Sequence, residues 1–121
     1  MGRKRSRARR AVPGARLSFR RRSRFEDLVG RQLDLFEQDQ ADLIAACDAA
    51  ESAYDRAPRD EAEERYGEYL DLVETAADLL ADLRDHYARA LDEDVADEYT
   101  RTFSRAVARR LPRLARDVDA A

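Results

Sequence analysis

His86 stands four residues after Asp82, so a helix would bring both side chains to one face, where they could share a metal ion. A ferritin-like di-iron centre requires two Glu-x-x-His motifs on different helices. This chain has one His and no such motif. General acid–base work by His86 would need a nucleophile beside it, and Asp82-Leu83-Arg84-Asp85-His86 supplies none. The single cysteine, Cys47, falls on an apolar helical stripe and reads as a buried small hydrophobe. One Cys gives neither an internal disulfide framework nor paired zinc ligands. The acid clusters at Glu61, Glu63, Glu64 and at Asp92, Glu93, Asp94 lack the Asp-x-Asp-x-Asp-Gly pattern of a calcium loop. They suit helix starts, where carboxylates complement the dipole. After residue 24 the glycines are Gly30 and Gly67, both inside helical patterns, so no phosphate-cradling loop is present. The reading is of a non-enzymatic chain with no cofactor, no metal and no small-molecule substrate.

What remains is cationic chemistry. The formal net charge of −3 conceals three blocks. Residues 1–24 carry eleven bases and no acid: Arg3, Lys4, Arg5, Arg7, Arg9, Arg10, Arg16, Arg20, Arg21, Arg22 and Arg24. Residues 25–98 carry 24 acids against six bases, and residues 99–116 carry six Arg and no acid. A base-only arm is the footprint of polyanion binding. Phe19 is the one aromatic in it, so base stacking is not indicated and phosphate contact is. At 100° per residue Arg101, Arg105, Arg109, Arg113 and Arg116 share one side of a helix, opposite Phe103, Val107 and Leu114. That row either joins the arm on a polyanion or is a solvated face whose cations sit near a helix C-terminus.

The elements that must carry these residues are helical. Hydrophobic residues make up 44% of the chain, but 22 of the 121 residues are Ala, which leaves a thin core. Six Val, one Ile and three Thr are too few for a sheet protein. Ser23 with Glu26 reads as a capping box. Behind it Val29, Leu33, Phe36, Gln40, Leu43, Cys47, Ala50 and Tyr54 recur at helical spacing, predicting a first helix over 24–55. Gln40 is the one polar member of that stripe. Pro58 breaks the pattern, and Asp60 with Glu63 offers the next capping box. A second helix follows with Ala62, Tyr66, Tyr69, Val73, Ala76, Leu80, Leu83, Tyr87 and Ala90 inward, the 4,3 spacing of a coiled-coil seam. Asp71, Glu74, Asp78, Asp82 and Asp85 then face outward. The apolar phase restarts at Val95, Tyr99, Phe103, Val107, Leu111, Leu114 and Val118, so a break near 92–94 with Asp92 or Asp94 as N-cap opens a third helix over 94–118. Pro112 should kink or divide it.

The expectation is therefore an all-α chain. A disordered Arg-rich tail over 1–23 precedes a helical domain over 24–121, an antiparallel three-helix bundle made of a long hairpin and a third helix kinked near Pro112. No run is long and apolar enough for a membrane span. The basic stretch has no apolar stretch or cleavage site after it, so it is not read as a secretory signal; a cytoplasmic location is the expectation, with an organellar transit peptide, also Arg-rich and acid-poor, as the alternative. The expected partner is nucleic acid or ribonucleoprotein, bound through phosphates by the tail and by Arg101, Arg105 and Arg109. The alternative is a helical interaction module or homo-oligomer with the tail incidental. Self-association between the basic tail and the acidic second helix of a neighbour is a further expectation.

Overall fold

The computed structural model describes residues 24–121. The expected disordered tail and Ser23 lie outside them, and the expected Ser23–Glu26 capping box does not open the first helix: Phe25 stands at its N-cap and Glu26 is its first residue. Five helices follow in order: α1 Glu26–Asp39, α2 Ala41–Arg56, α3 Ala62–Ala88, α4 Glu93–Arg110 and α5 Pro112–Ala120, with no strand among the described residues. The all-α class is as expected, and the three-helix bundle is replaced by this five-helix arrangement.

α2 and α3 form the hairpin that Pro58 predicts. Its entry differs from the expected capping box. Glu61, not Asp60, stands at the N-cap of α3, and no side chain caps it. The turn is closed by backbone instead, with Glu61 N–H donating to the Pro58 carbonyl at 2.9 Å. At the far end α3 stops at Ala88, a few residues before the sequence suggests. Asp92 holds the expected N-cap position of α4 with extended backbone, but its side chain makes no capping bond, and Asp94 lies inside the first turn.

Two predicted rods are each divided. The first breaks at Gln40, whose φ of −110° and ψ of 27° depart from helical values. The division has a packing cause: α1 lies against α4, whereas α2 lies against α3. A straight rod of some thirty residues, about 45 Å long, could not serve both. The third rod divides at Leu111, with φ −135° and ψ 59°, and Pro112 opens α5 where its missing N–H costs nothing. This is a reversal, not a kink in a continuing rod. α5 folds back along α4, bringing Asp119 within a 3.1 Å hydrogen bond of Ser104, and packs on α3 as well.

One core runs through all five helices. Leu33, Leu80, Tyr99, Phe103 and Val118 are fully buried, with Val29, Phe36, Val73 and Leu114 around them. Ala76, Ala77 and Ala81 on α3 are also buried, and their small side chains let neighbouring helices approach closely. Leu43 and Leu83, expected inside, are half-buried, and Tyr54 and Tyr66 are exposed at the hairpin tip with ring centroids 5.1 Å apart. At the other end Phe25, Tyr87 and Tyr99 cluster, with Phe25 edge-on to both tyrosines and Tyr87 to Tyr99 at 4.7 Å. Phe25 thereby anchors the start of α1 to α3 and α4. No helix among the described residues is long and apolar enough to cross a membrane.

Candidate nucleic-acid interface

Of the tail cations, Arg3, Lys4, Arg5, Arg7, Arg9, Arg10, Arg16, Arg20, Arg21 and Arg22 lie outside the described residues. Arg24 is exposed and sits 3.3 Å from Glu98 of α4, with its guanidinium 5.9 Å from the Phe25 ring centroid.

Arg101, Arg105 and Arg109 lie on the outer side of α4, all three exposed. Successive members are one helical turn apart, so the row is about 12 Å long. None of the three forms an ion pair among the described residues. Asp94 and Asp97, also exposed, occupy the same side of α4 one to two turns earlier. The face therefore runs from acidic at the helix start to basic at its end, the order that the peptide dipole favours.

The other two members of the expected row part company with it. Arg113 does not share the exposed face. The reversal at Leu111 turns it towards α2, where it pairs with Asp48 and with Glu51 at 2.6 Å and lies 5.8 Å from the Tyr69 ring centroid. Those carboxylates push its pKa further up, so it is a permanent cation already neutralised. Arg116 is on α5, highly exposed, and 3.6 Å from Asp117.

Sequence reasoning missed the cations with structural work. Arg110 reaches α1, donating to the Gly30 carbonyl at 3.1 Å and to Asp34 and Glu37 at 2.7 and 2.9 Å. Arg110 and Arg113 thus grip α1 and α2 from the two sides of the α4–α5 reversal. Arg84 is only 7% exposed. Its Nη1 donates to the Val118 carbonyl at 2.9 Å and its Nε to Asp85 at 2.8 Å. It satisfies a carbonyl of the last turn of α5, where a positive charge is favoured. One signal was present: Arg84 follows Leu80 by four and precedes Tyr87 by three, on the inward stripe.

Two of the residues weighed for catalysis are in ordinary settings. Cys47 is buried beside a cavity of about 270 Å³ lined by Ile44, Ala76, Arg110, Leu111 and Leu114 among others. Burial pushes the thiol pKa up, against the opposing pull of Arg113, so the reactive thiolate is disfavoured. His86 is exposed, with Nδ1 3.4 Å from an Arg89 Nη2. Asp82 and His86 belong to no group of three or more metal-capable side chains among the described residues. Comparison with protein-family profiles, with curated proteins and with solved structures finds no match to the chain.

Proposed function

We propose that this is a small, non-enzymatic, cytoplasmic helical protein whose Arg-rich N-terminal arm binds nucleic acid or ribonucleoprotein through phosphates. The observation that carries the reading is the run of eleven bases without one acid over residues 1–24. The helical domain supports it with a second set of cations: Arg101, Arg105 and Arg109 are exposed and form no ion pair among the described residues, whereas Arg110 and Arg113 are each consumed by two carboxylates. The mechanism is charge neutralisation with counterion release, and it carries no sequence readout.

The test is binding of labelled duplex DNA and RNA as a function of salt. An arm that neutralises six to ten phosphates loses about 10³–10⁵-fold in affinity between 50 and 200 mM salt. Removing residues 1–22 abolishes the binding and leaves helicity intact, since the core is drawn from residues 25–118. Changing Arg101, Arg105 and Arg109 together to Ala lowers both affinity and salt slope by a smaller amount. Absence of binding at low salt, or equal binding without the arm, would overturn the proposal.

A further inference from the structure

α1 and α3 approach each other without closing. Between them lies a groove of about 280 Å³ lined by Gln32, Leu35, Phe36, Asp39, Leu79 and Leu83 among others. Leu35 is 57% exposed and Leu79 40%, one from each wall. Two large aliphatic side chains facing one shared groove are more telling than the same residues scattered singly. The groove is bordered by acid. Asp39 lines it, and Asp82, exposed, follows Leu79 by three residues on α3, whereas Asp78 lines the neighbouring cleft beside Asp117 and Ala120 of α5. Asp71, Glu74 and Asp85 extend the acidic face along the same helix.

The occupant this site fits is apolar at its centre and basic around it. Arg16-Leu17-Ser18-Phe19-Arg20-Arg21-Arg22 has that chemistry: two large apolar side chains two residues apart among four Arg, with no acid. Where the chain enters the domain also favours it. Phe25 packs on Tyr87, and Tyr87 is one helical turn beyond Leu83 on α3. Tyr99, which also touches Phe25, donates a 2.9 Å hydrogen bond to Gln32 in the groove wall. Leu79 is thus about 12 Å from Tyr87 along α3. The six residues from Phe19 to Phe25 span up to about 20 Å. A tether that short gives an effective concentration in the millimolar range, which favours the same chain over a neighbour.

We infer that the α1–α3 groove is the docking site for residues 16–22 of the same chain, with Leu17 and Phe19 set against Leu35, Leu79 and Leu83 and the Arg side chains against Asp39 and Asp82. Docked in this way, the arm is held on the acidic face until a denser polyanion displaces it. The docking itself depends on no nucleic acid.

The experiment places the photoreactive residue benzoylphenylalanine at position 19 of the full-length chain. The chain is irradiated at low salt without nucleic acid, and the cross-linked peptides are mapped by mass spectrometry. The expected result is cross-links within monomeric protein, concentrated on 32–40 of α1 and 79–83 of α3. Asp39→Asn with Asp82→Asn, both exposed and outside the core, should reduce their yield several-fold. Cross-links spread over the surface, no cross-links, cross-links confined to a dimeric band, or a yield unchanged by the double substitution would each overturn the inference. Phosphate binding by the arm is read separately in the salt titration, so failure of one leaves the other standing.

Discussion

Tyr99 shows most directly how a single buried group sets a measurable property. Its ring is fully buried and its hydroxyl donates to Gln32. Burial pushes its pKa from 10.0 up to about 12. The folded chain therefore holds this proton where the unfolded chain has lost it. Stability from this source is fully present below pH 10 and falls as pH rises from about 10 towards 12, by on the order of 2–3 kcal/mol. Urea titrations at pH 9 and pH 11.5 should show the drop, and Tyr99→Phe should remove most of it. At neutral pH that variant should cost about 0.5–1.5 kcal/mol for the lost hydrogen bond. Arg84 is the contrasting case, a charge kept inside because a helix end needs a donor there.

Helices are the scale at which the sequence was most informative. The stripe residues Leu33, Phe36, Val73, Leu80, Phe103 and Leu114 are buried as their spacing predicts. Leu80 lies on the inward face of α3 with none of its surface exposed, and Leu80→Ala should cost about 2–5 kcal/mol in equilibrium denaturation. The break at Gln40 was not legible because local chemistry does not announce it. Gln40 N–H still bonds the Phe36 carbonyl at 2.8 Å, and its own carbonyl accepts from Ile44 at 2.9 Å. The direction change comes from the need of α1 to reach α4, a tertiary demand without a turn residue to mark it. Pro112 marked its site, but whether the chain bends or reverses there depends on what α5 finds to pack on. That reversal is also why Arg113 left the basic row that 100° steps along one helix assigned to it. The row of Arg101, Arg105 and Arg109 was legible because all three lie on one unbroken helix. Side-chain caps were over-read, since backbone turns and acidic first turns serve in their place.

Taken whole, the molecule places opposite charges on one chain, and its two readings make a joint prediction. If residues 16–22 rest on the acidic border of the α1–α3 groove, nucleic acid must compete with that border for the same Arg side chains. Asp39→Asn with Asp82→Asn in the full-length chain should then tighten nucleic-acid binding several-fold at low salt. The gain should shrink as salt screens both contacts over the Debye length of about 8–10 Å. Neutralising two acids far from the groove, such as Glu61 and Glu64 at the start of α3, makes the control. An equal gain from that pair would assign the effect to net charge and not to the groove.

The aromatic clusters at the two ends of the molecule also give it a built-in optical readout. The chain has no Trp, so its near-ultraviolet absorption comes from five Tyr, with a weaker contribution from four Phe. Tyr87 and Tyr99 lie 4.7 Å apart where α1, α3 and α4 meet, and Tyr54 and Tyr66 lie 5.1 Å apart at the opposite tip. The first pair is held in a fixed chiral setting, Tyr99 buried and Tyr87 half-buried, and the second is open to solvent. The near-ultraviolet circular dichroism band should therefore be dominated by the first pair. Loosening of Phe25 and the start of α1 would dim that band while the far-ultraviolet helical signal stayed nearly constant.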